Sequence, residues 1–297
     1  MEDKKEKLPS TNINWYPGHM AKTKRIIEKN LSLVDIIIEI LDARAPVSSS
    51  NPDLYKIIKN KPRLIIFNKS DLADQVITDK WNNYYKNKNL NVLNLDSRSG
   101  RGVNKVHSLI FDILKDLINK RINKGMTGTP VRAMIVGIPN VGKSSFINRM
   151  AKKKKTKVED RPGVTRGKQW VDTGEGLEFL DMPGVLAPKF EDELVGKKLA
   201  FLGSIKDNIL DIEYLAAELL NFLFDNYKEL VVNRYKINEK EIDFESPYGL
   251  LEYIGKKRRM FVSGGEINLE RASMAVLDEF RSGKIGKISL EVPKEYI

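Results

Sequence analysis

Gly137-Ile138-Pro139-Asn140-Val141-Gly142-Lys143-Ser144 fits the pattern G-x-x-x-x-G-K-[ST], and its surroundings decide the fold. The apolar run Ala133–Val136 precedes it and the helix-compatible stretch Ser145–Met150 follows, so the segment reads strand, loop, helix. Glycines let such a loop curl into a nest whose N–H groups point at phosphate oxygens. The N-terminus of the following helix adds partial positive charge. Lys143 then reaches the β- and γ-phosphates, and Ser144 offers its hydroxyl to Mg²⁺. Asn140, Val141, Gly142 and Ser145 complete the phosphate-binding set. The segment is read as a phosphate site.

Upstream, Asn68-Lys69-Ser70-Asp71 follows the apolar run Leu64–Phe67. In an N-K-x-D arrangement the Asp71 carboxylate accepts the ring N–H and the exocyclic amine of guanine. Adenine lacks both donors at those positions, and a carboxylate left unpaired in a buried slot is penalised. Asn68 supports the loop, and the Lys69 stem covers the ring face. The tetrapeptide alone is equally consistent with an exposed turn; the phosphate loop gives it meaning. Asp96-Ser97-Arg98, after the strand-like Asn91–Leu95, suits a loop whose backbone N–H meets the guanine oxygen. The nucleotide expected is GTP or GDP.

Downstream, Asp181-Met182-Pro183-Gly184 follows the apolar pair Phe179-Leu180. Asp181 is expected to hold Mg²⁺ through water, and the Gly184 N–H to sense the γ-phosphate. Between the two phosphate motifs lies Arg161–Gly167. There Thr165 is the candidate switch threonine, joining the Mg²⁺ shell when GTP is bound.

Strand-like segments at 35–41, 64–67 and 91–95 alternate with helix-compatible ones, as in a parallel α/β sheet. Residues 103–122 carry helical spacing. After Pro188 strand signals nearly vanish, and 211–227, 247–256 and 267–281 read as amphipathic helices. The expected organisation is an α/β domain over 1–188, its sheet mostly parallel with helices on both faces, and a smaller α-helical domain over 189–297.

The 297 residues hold 51 Lys and Arg against 40 Asp and Glu, a net charge of +11 that points to a polyanionic partner or to a solvated surface. The absence of cysteine excludes disulfides and thiolate catalysis. Met1–Ser10 has no apolar stretch behind its charges and is not expected to act as a secretory signal, and no apolar run approaches the roughly 20 residues of a membrane helix. A cytoplasmic monomer is expected. Lys152–Lys155 with Lys157, and Lys256–Arg259 flanked by Tyr253 and Phe261, are the densest basic clusters. They suit RNA backbone contact and base stacking, or else solvated helix faces.

The base motif precedes the phosphate loop, and Thr165 and Asp181–Gly184 come after both. A parallel sheet depends on strand adjacency, so cyclic reordering of the chain can preserve the site. This order resembles the circularly permuted GTPases. The likeness sharpens at Trp15-Tyr-Pro-Gly-His-Met-Ala-Lys22, Leu41-Asp-Ala-Arg-Ala-Pro46 and Gly264-Gly-Glu-Ile-Asn-Leu-Glu-Arg-Ala272, which are similar to motifs of the bacterial ribosome-assembly GTPases. The resemblance implies a circularly permuted P-loop GTPase domain whose N-terminal segment, 1–30, carries a catalytic His19. It implies action late in maturation of the large ribosomal subunit, turnover raised by that subunit, and a helical domain that contacts ribosomal RNA. Ras-like enzymes orient the attacking water with a Gln after the Asp-x-x-Gly motif; Val185 stands there and cannot. The water-orienting group must come from elsewhere; the Pro-Gly-His turn and the resemblance point to His19, a local turn histidine being the alternative, and His107 is read as structural. Asn140 matches GTPases that use K⁺ in place of an arginine finger, while Arg44 and Arg166 are further candidates for charge stabilisation. Two other functions remain open: an RNA-binding module with incidental hydrolysis, and a GTPase of another pathway.

Overall fold

The structure, a computed structural model, describes residues 25–58, 61–151, 169–182, 184 and 193–294. These residues divide into two compact units. One spans the described part of 188–278; the other joins the described part of 18–187 to the C-terminal 279–294.

The second unit is built on six strands: β1 (Ile36–Asp42), β2 (Arg63–Asn68), β3 (Asn91–Asn94), β4 (Val131–Val136), β5 (Gln169–Gly174) and β6 (Leu177–Asp181). Their order is β3-β2-β1-β4-β6-β5. Every neighbouring pair is parallel except β5–β6. The central β1, Ile-Ile-Ile-Glu-Ile-Leu-Asp, is buried along its whole length, which is why it reads as an apolar run without alternation. β5 and β6 form a hairpin across Glu175-Gly176, both at positive φ (53° and 76°), the backbone that two-residue hairpin turns require. This edge hairpin went unread in the sequence.

Helices cover both faces. On one, Ile37, Met134, Val136 and Leu180 pack with Ile27, Leu54 and Ile57. Beside them Leu41, Ile65 and Phe67 meet Trp81 and Tyr85 of α2 (Gln75–Asn87), α1 being Pro52–Ile58. On the other, Phe146 of α5 (Lys143–Ala151) stacks on Phe179 at 5.6 Å. The helical stretch expected over 103–122 is divided: a 3₁₀ turn at Val103–Lys105, then α3 (Val106–Ile113) and α4 (Lys115–Asn123), separated at Leu114.

Glu39 is the exception in this core. It is fully buried in β1, with Arg63 Nη1 3.6 Å and the Tyr55 hydroxyl 3.5 Å from its carboxylate. Burial outweighs the Arg63 charge and the Tyr55 hydrogen bond, pushing its pKa up to about 7.

The helical unit contains α6 (Glu193–Phe201), α7 (Ile212–Asn226), α8 (Lys228–Tyr235), α9 (Gly249–Lys257) and most of α10 (Leu269–Arg281). Asp211 caps α7 by accepting from Tyr214 N–H. Leu215, Ala216, Leu219, Leu220 and Leu223 form that helix's buried stripe.

The change at Pro188 suggests that everything beyond it belongs to the helical part, yet 279–294 group with the sheet unit. Leu290 N–H donates to Arg44 O at 2.7 Å and Ile288 N–H to Leu72 O at 2.9 Å. The Glu291 carboxylate accepts from the N–H groups of Val47 and Ser48. Trp81 Nε1 donates to Glu291 O. The one patterned stretch of this C-terminal strap, the short alternation Ile288-Ser-Leu290-Glu-Val292, went unread in the sequence.

Candidate nucleotide site

The sheet gathers the motifs because β1, β2, β4 and β6 are mutually parallel and end on the same side. Asp42 pairs with Asn68, and Ile135 with Asp181. The loops leaving these ends bring the phosphate segment, the base segment and the Asp181 segment to one rim, the usual ligand edge of an open α/β sheet.

Asn68 joins three pieces of that rim. Its Nδ2 donates to Val141 O at 2.7 Å, tying the base motif to the phosphate loop. Its Oδ1 accepts from Ser97 N–H at 3.0 Å and Ser97 Oγ at 2.9 Å. Ser70 donates through both its N–H and its hydroxyl to Leu95 O. Lys69, held at φ 58°, extends its ammonium to Asn140 O at 2.7 Å and to Asp42 Oδ2 at 3.0 Å. Asp71 stands apart: its Oδ1 is buried and has no hydrogen-bond partner. A buried acceptor without a donor is costly, and the two N–H groups of a guanine edge are the donors that would satisfy it. The residues present therefore fit a guanine nucleotide.

The phosphate loop shows the backbone its role needs. Gly142 adopts φ 97°, and a Cβ there would stand 2.3 Å from Asn68 Nδ2. Asn140 also has positive φ, 62°. Lys143 is nearly buried and donates to Ile138 O at 2.8 Å, so its ammonium is parked on the loop that a phosphate would occupy. Burial lowers its pKa to about 8 despite the countering charge of Asp181. The Asp181 carboxyl is raised by burial, with Lys143 opposing. Gly184 approaches closely: a Cβ would lie 2.9 Å from Pro139 N and 3.1 Å from Lys143 Nζ. Ser144 and Ser145 are exposed in the first turn of α5. A serine hydroxyl and a carboxylate beside phosphate oxygens are hard oxygen donors suited to Mg²⁺. Among the described residues no cluster of three acidic or histidine side chains is present.

Asp96 shapes its own loop. Its carboxylate accepts from Arg98 N–H at 2.8 Å and Ser99 N–H at 3.1 Å. Burial works to raise its pKa, but these bonds prevail and hold it lowered. With Ser97 N–H given to Asn68, the amides of 97–99 are all engaged inside the site, including those expected to face the guanine oxygen.

Two residues were missed and a third was given another role. Asp42 receives Arg44 Nε and Nη2 at 2.9 Å each, besides Lys69. Burial works to raise its pKa, but the two cations prevail and hold it far below the carboxylate range. Its place in the segment Leu41-Asp-Ala-Arg-Ala-Pro46, two residues before Arg44, was the signal available. Arg149 donates to the carbonyls of Ser97 and Arg98, anchoring the base-side loop to α5; no motif marks it. Arg44 was considered for charge stabilisation, but it is 1% exposed and spent on Asp42, so it does not reach a phosphate. His107 stacks on Phe111 and contacts Glu175 O at 3.0 Å. His19, Thr165, Arg166, Val185 and the cluster Lys152–Lys155 with Lys157 lie outside the described residues.

Residues 132–251 match the model of a family described as 50S ribosome-binding GTPase. Ribosome biogenesis GTPase A of Bacillus cereus is 43% identical over 284 residues, covering 96% of this chain and 95% of that protein. Its Thermotoga maritima namesake is 32% identical, with 95% of each chain covered. A GDP-bound structure of YlqF matches with TM-score 0.64 and 26% identity, over 91% of this chain and 100% of that one. A GNP-bound YlqF from T. maritima matches with TM-score 0.62 and 27% identity, over 92% and 99%. The chain belongs to the ribosome biogenesis GTPase A family, GTP-hydrolysing proteins with a circularly permuted GTPase domain.

Proposed function

We propose that this GTPase acts late in assembly of the large ribosomal subunit, which raises its turnover, and that its helical unit contacts ribosomal RNA. The observation that carries the nucleotide part is the orphaned, buried Asp71 Oδ1 on the same rim as the phosphate loop. Asn68, Lys69, Ser70 and Asp71 hold the guanine end with Asp96 and Ser97, and Asn140–Ser145 with Gly184 hold the phosphates. Bound Mg²⁺ would supply charge neutralisation to the phosphates, and Ser144, Thr165 and, through water, Asp181 are the residues that would hold it. Lys143 leaves Ile138 O for the phosphate oxygens. His19, as neutral imidazole, accepts from the attacking water and orients it. Asn140 helps K⁺ add positive charge between the phosphates. The net charge of +11 supports an RNA partner, and the Lys256–Arg259 cluster, at the end of α9, is the RNA contact of the helical unit. The protein works as a cytoplasmic monomer, and no described helix is long and apolar enough to cross a membrane.

The test is GTP hydrolysis with and without purified large subunits, in K⁺ and in Na⁺ buffer. Strong stimulation by subunits, greater in K⁺ and lost in His19→Ala while GTP still binds, is the expected result. Nucleotide binding without stimulation would remove the subunit from this reading; equal rates in K⁺ and Na⁺ would remove the potassium ion.

A further inference from the structure

We propose that Arg44 and the C-terminal strap Phe280–Glu291 are positioning elements for guanine recognition, forming the outer support of the Asn68–Asp71 loop. The proposal rests on the assignment of Asp71 to the guanine edge.

The base loop is supported from three sides. Asn68 fixes it to the phosphate loop and to Ser97, and Ser70 fixes it to Leu95. On the third side no nucleotide motif contributes; the supports come from the first strand and the strap. Arg44 forms a two-point pair with Asp42, Nε on Oδ1 and Nη2 on Oδ2, and its own N–H donates to Oδ1. Asp42 Oδ2 in turn receives Lys69 Nζ. The remaining guanidinium nitrogen, Nη1, donates to Phe280 O at 3.3 Å, and the guanidinium lies 5.1 Å from the Phe280 ring centre. The strap then runs along the base loop's exit. Ile288 N–H donates to Leu72 O, one residue beyond Asp71, and Ser289 Oγ accepts from Asp74 N–H at 3.2 Å. Gly283 leaves no room against Leu72, where a Cβ would stand 2.6 Å from a side-chain methyl. Leu290 N–H closes the circuit on Arg44 O.

A planar guanidinium can bond both carboxylate oxygens and a carbonyl at once, which a lysine ammonium cannot reproduce. Without Arg44, Asp42 keeps Lys69 as its one cation and is free to turn toward it. Lys69 is then drawn between Asp42 and Asn140 O, and Asp71, two residues on, loses its fixed aim. The exocyclic amine of guanine is the feature most sensitive to that aim. Inosine nucleotides lack this amine and keep the ring N–H, so the ratio of GDP to IDP affinity reads the position of Asp71 separately from general stability.

Titrations of full-length Arg44→Ala, Arg44→Lys and Ser289→Ala with GDP and IDP test this, alongside hydrolysis at saturating GTP. The expected result is a GDP Kd raised about tenfold in Arg44→Ala, equivalent to one lost hydrogen bond to a charged group. IDP should be affected less, so the GDP/IDP preference shrinks while kcat stays within about twofold. Arg44→Lys should recover part of the preference, and Ser289→Ala should reduce it by a smaller factor. An unchanged preference in both Arg44→Ala and Ser289→Ala overturns the proposal, as does an equal loss for both nucleotides, which marks a merely structural role. If Arg44→Ala does not fold, Ser289→Ala decides. Asp71→Ala separates the two layers: if it leaves the wild-type GDP/IDP preference intact, the guanine assignment of Asp71 fails whatever Arg44 does.

Discussion

Replacing Asn68 by Ala should both unlatch the nucleotide site and destabilise the sheet unit. The side chain is 2% exposed and makes three hydrogen bonds, to Val141 O, Ser97 N–H and Ser97 Oγ. A typical internal hydrogen bond contributes roughly 0.5–1.5 kcal/mol net, so the three together contribute about 3 kcal/mol. Val141 O and Ser97 N–H are left without their partners, which moves the expected loss toward the upper end, about 3–4 kcal/mol. For a unit of this size each kcal/mol lowers Tm by roughly 2–4 °C, which gives a drop of about 6–16 °C. Urea unfolding followed by tryptophan fluorescence reads the stability, since Trp81 sits in the core of this unit. Repeating it with excess GDP reads the site. The parent should gain stability in proportion to the logarithm of GDP concentration over Kd, and the variant should gain little. A variant within about 1 kcal/mol of the parent that is still stabilised equally by GDP would refute the reasoning that Asn68 holds base loop and phosphate loop together.

Glu39→Gln should stabilise the protein at pH 8 and do almost nothing at pH 5. The folded pKa of about 7 lies above the unfolded value of 4.5, so the native state holds the extra proton between them and stability falls as pH rises through that window. The gain at pH 8 should reach about 1–3 kcal/mol, measured as the difference between urea midpoints at the two pH values; a pH-independent difference would contradict it. Gly142→Ala should abolish nucleotide binding while leaving β1–β4 folded, because the new Cβ meets Asn68 Nδ2 at 2.3 Å in a left-handed backbone. Retained GDP affinity with native circular dichroism would show that the phosphate loop tolerates the change.

Much of this site was legible because its chemistry is local in sequence. The phosphate loop needs glycine at a left-handed position and a lysine beside it, so Gly142-Lys143 announces itself. Asn68–Asp71, after its apolar strand, gains meaning once it is joined to that phosphate loop. What escaped was long-range. Arg44 was left as a candidate for charge stabilisation although its partner Asp42 lies two residues before it; its third bond, to Phe280 O, comes from a residue 236 positions away. The strap was unreadable for a related reason: its bonds to Leu72, Asp74 and Arg44 run largely through backbone groups, which every residue carries. Glu39 stands inside an isoleucine run, and its burial beside Arg63 depends on a residue 24 positions away. The edge strand β5 was hidden because Gln169–Gly174 carries only the adjacent pair Trp170-Val171 as apolar residues, without alternation, and pairs on one side alone.

Base selectivity tests the central claim most directly: calorimetric titration of the full-length protein and its Asp71→Asn variant with GDP, XDP and ADP. The parent should bind GDP and reject ADP by about two orders of magnitude or more, since ADP leaves the Asp71 carboxylate unpaired. In Asp71→Asn the amide donates where the carboxylate accepted, so preference should pass from GDP to XDP, whose ring carries an oxygen in place of the amine. A parent that binds ADP as well as GDP, or a variant that keeps the parent's preference for GDP over XDP, would contradict a guanine site at Asp71.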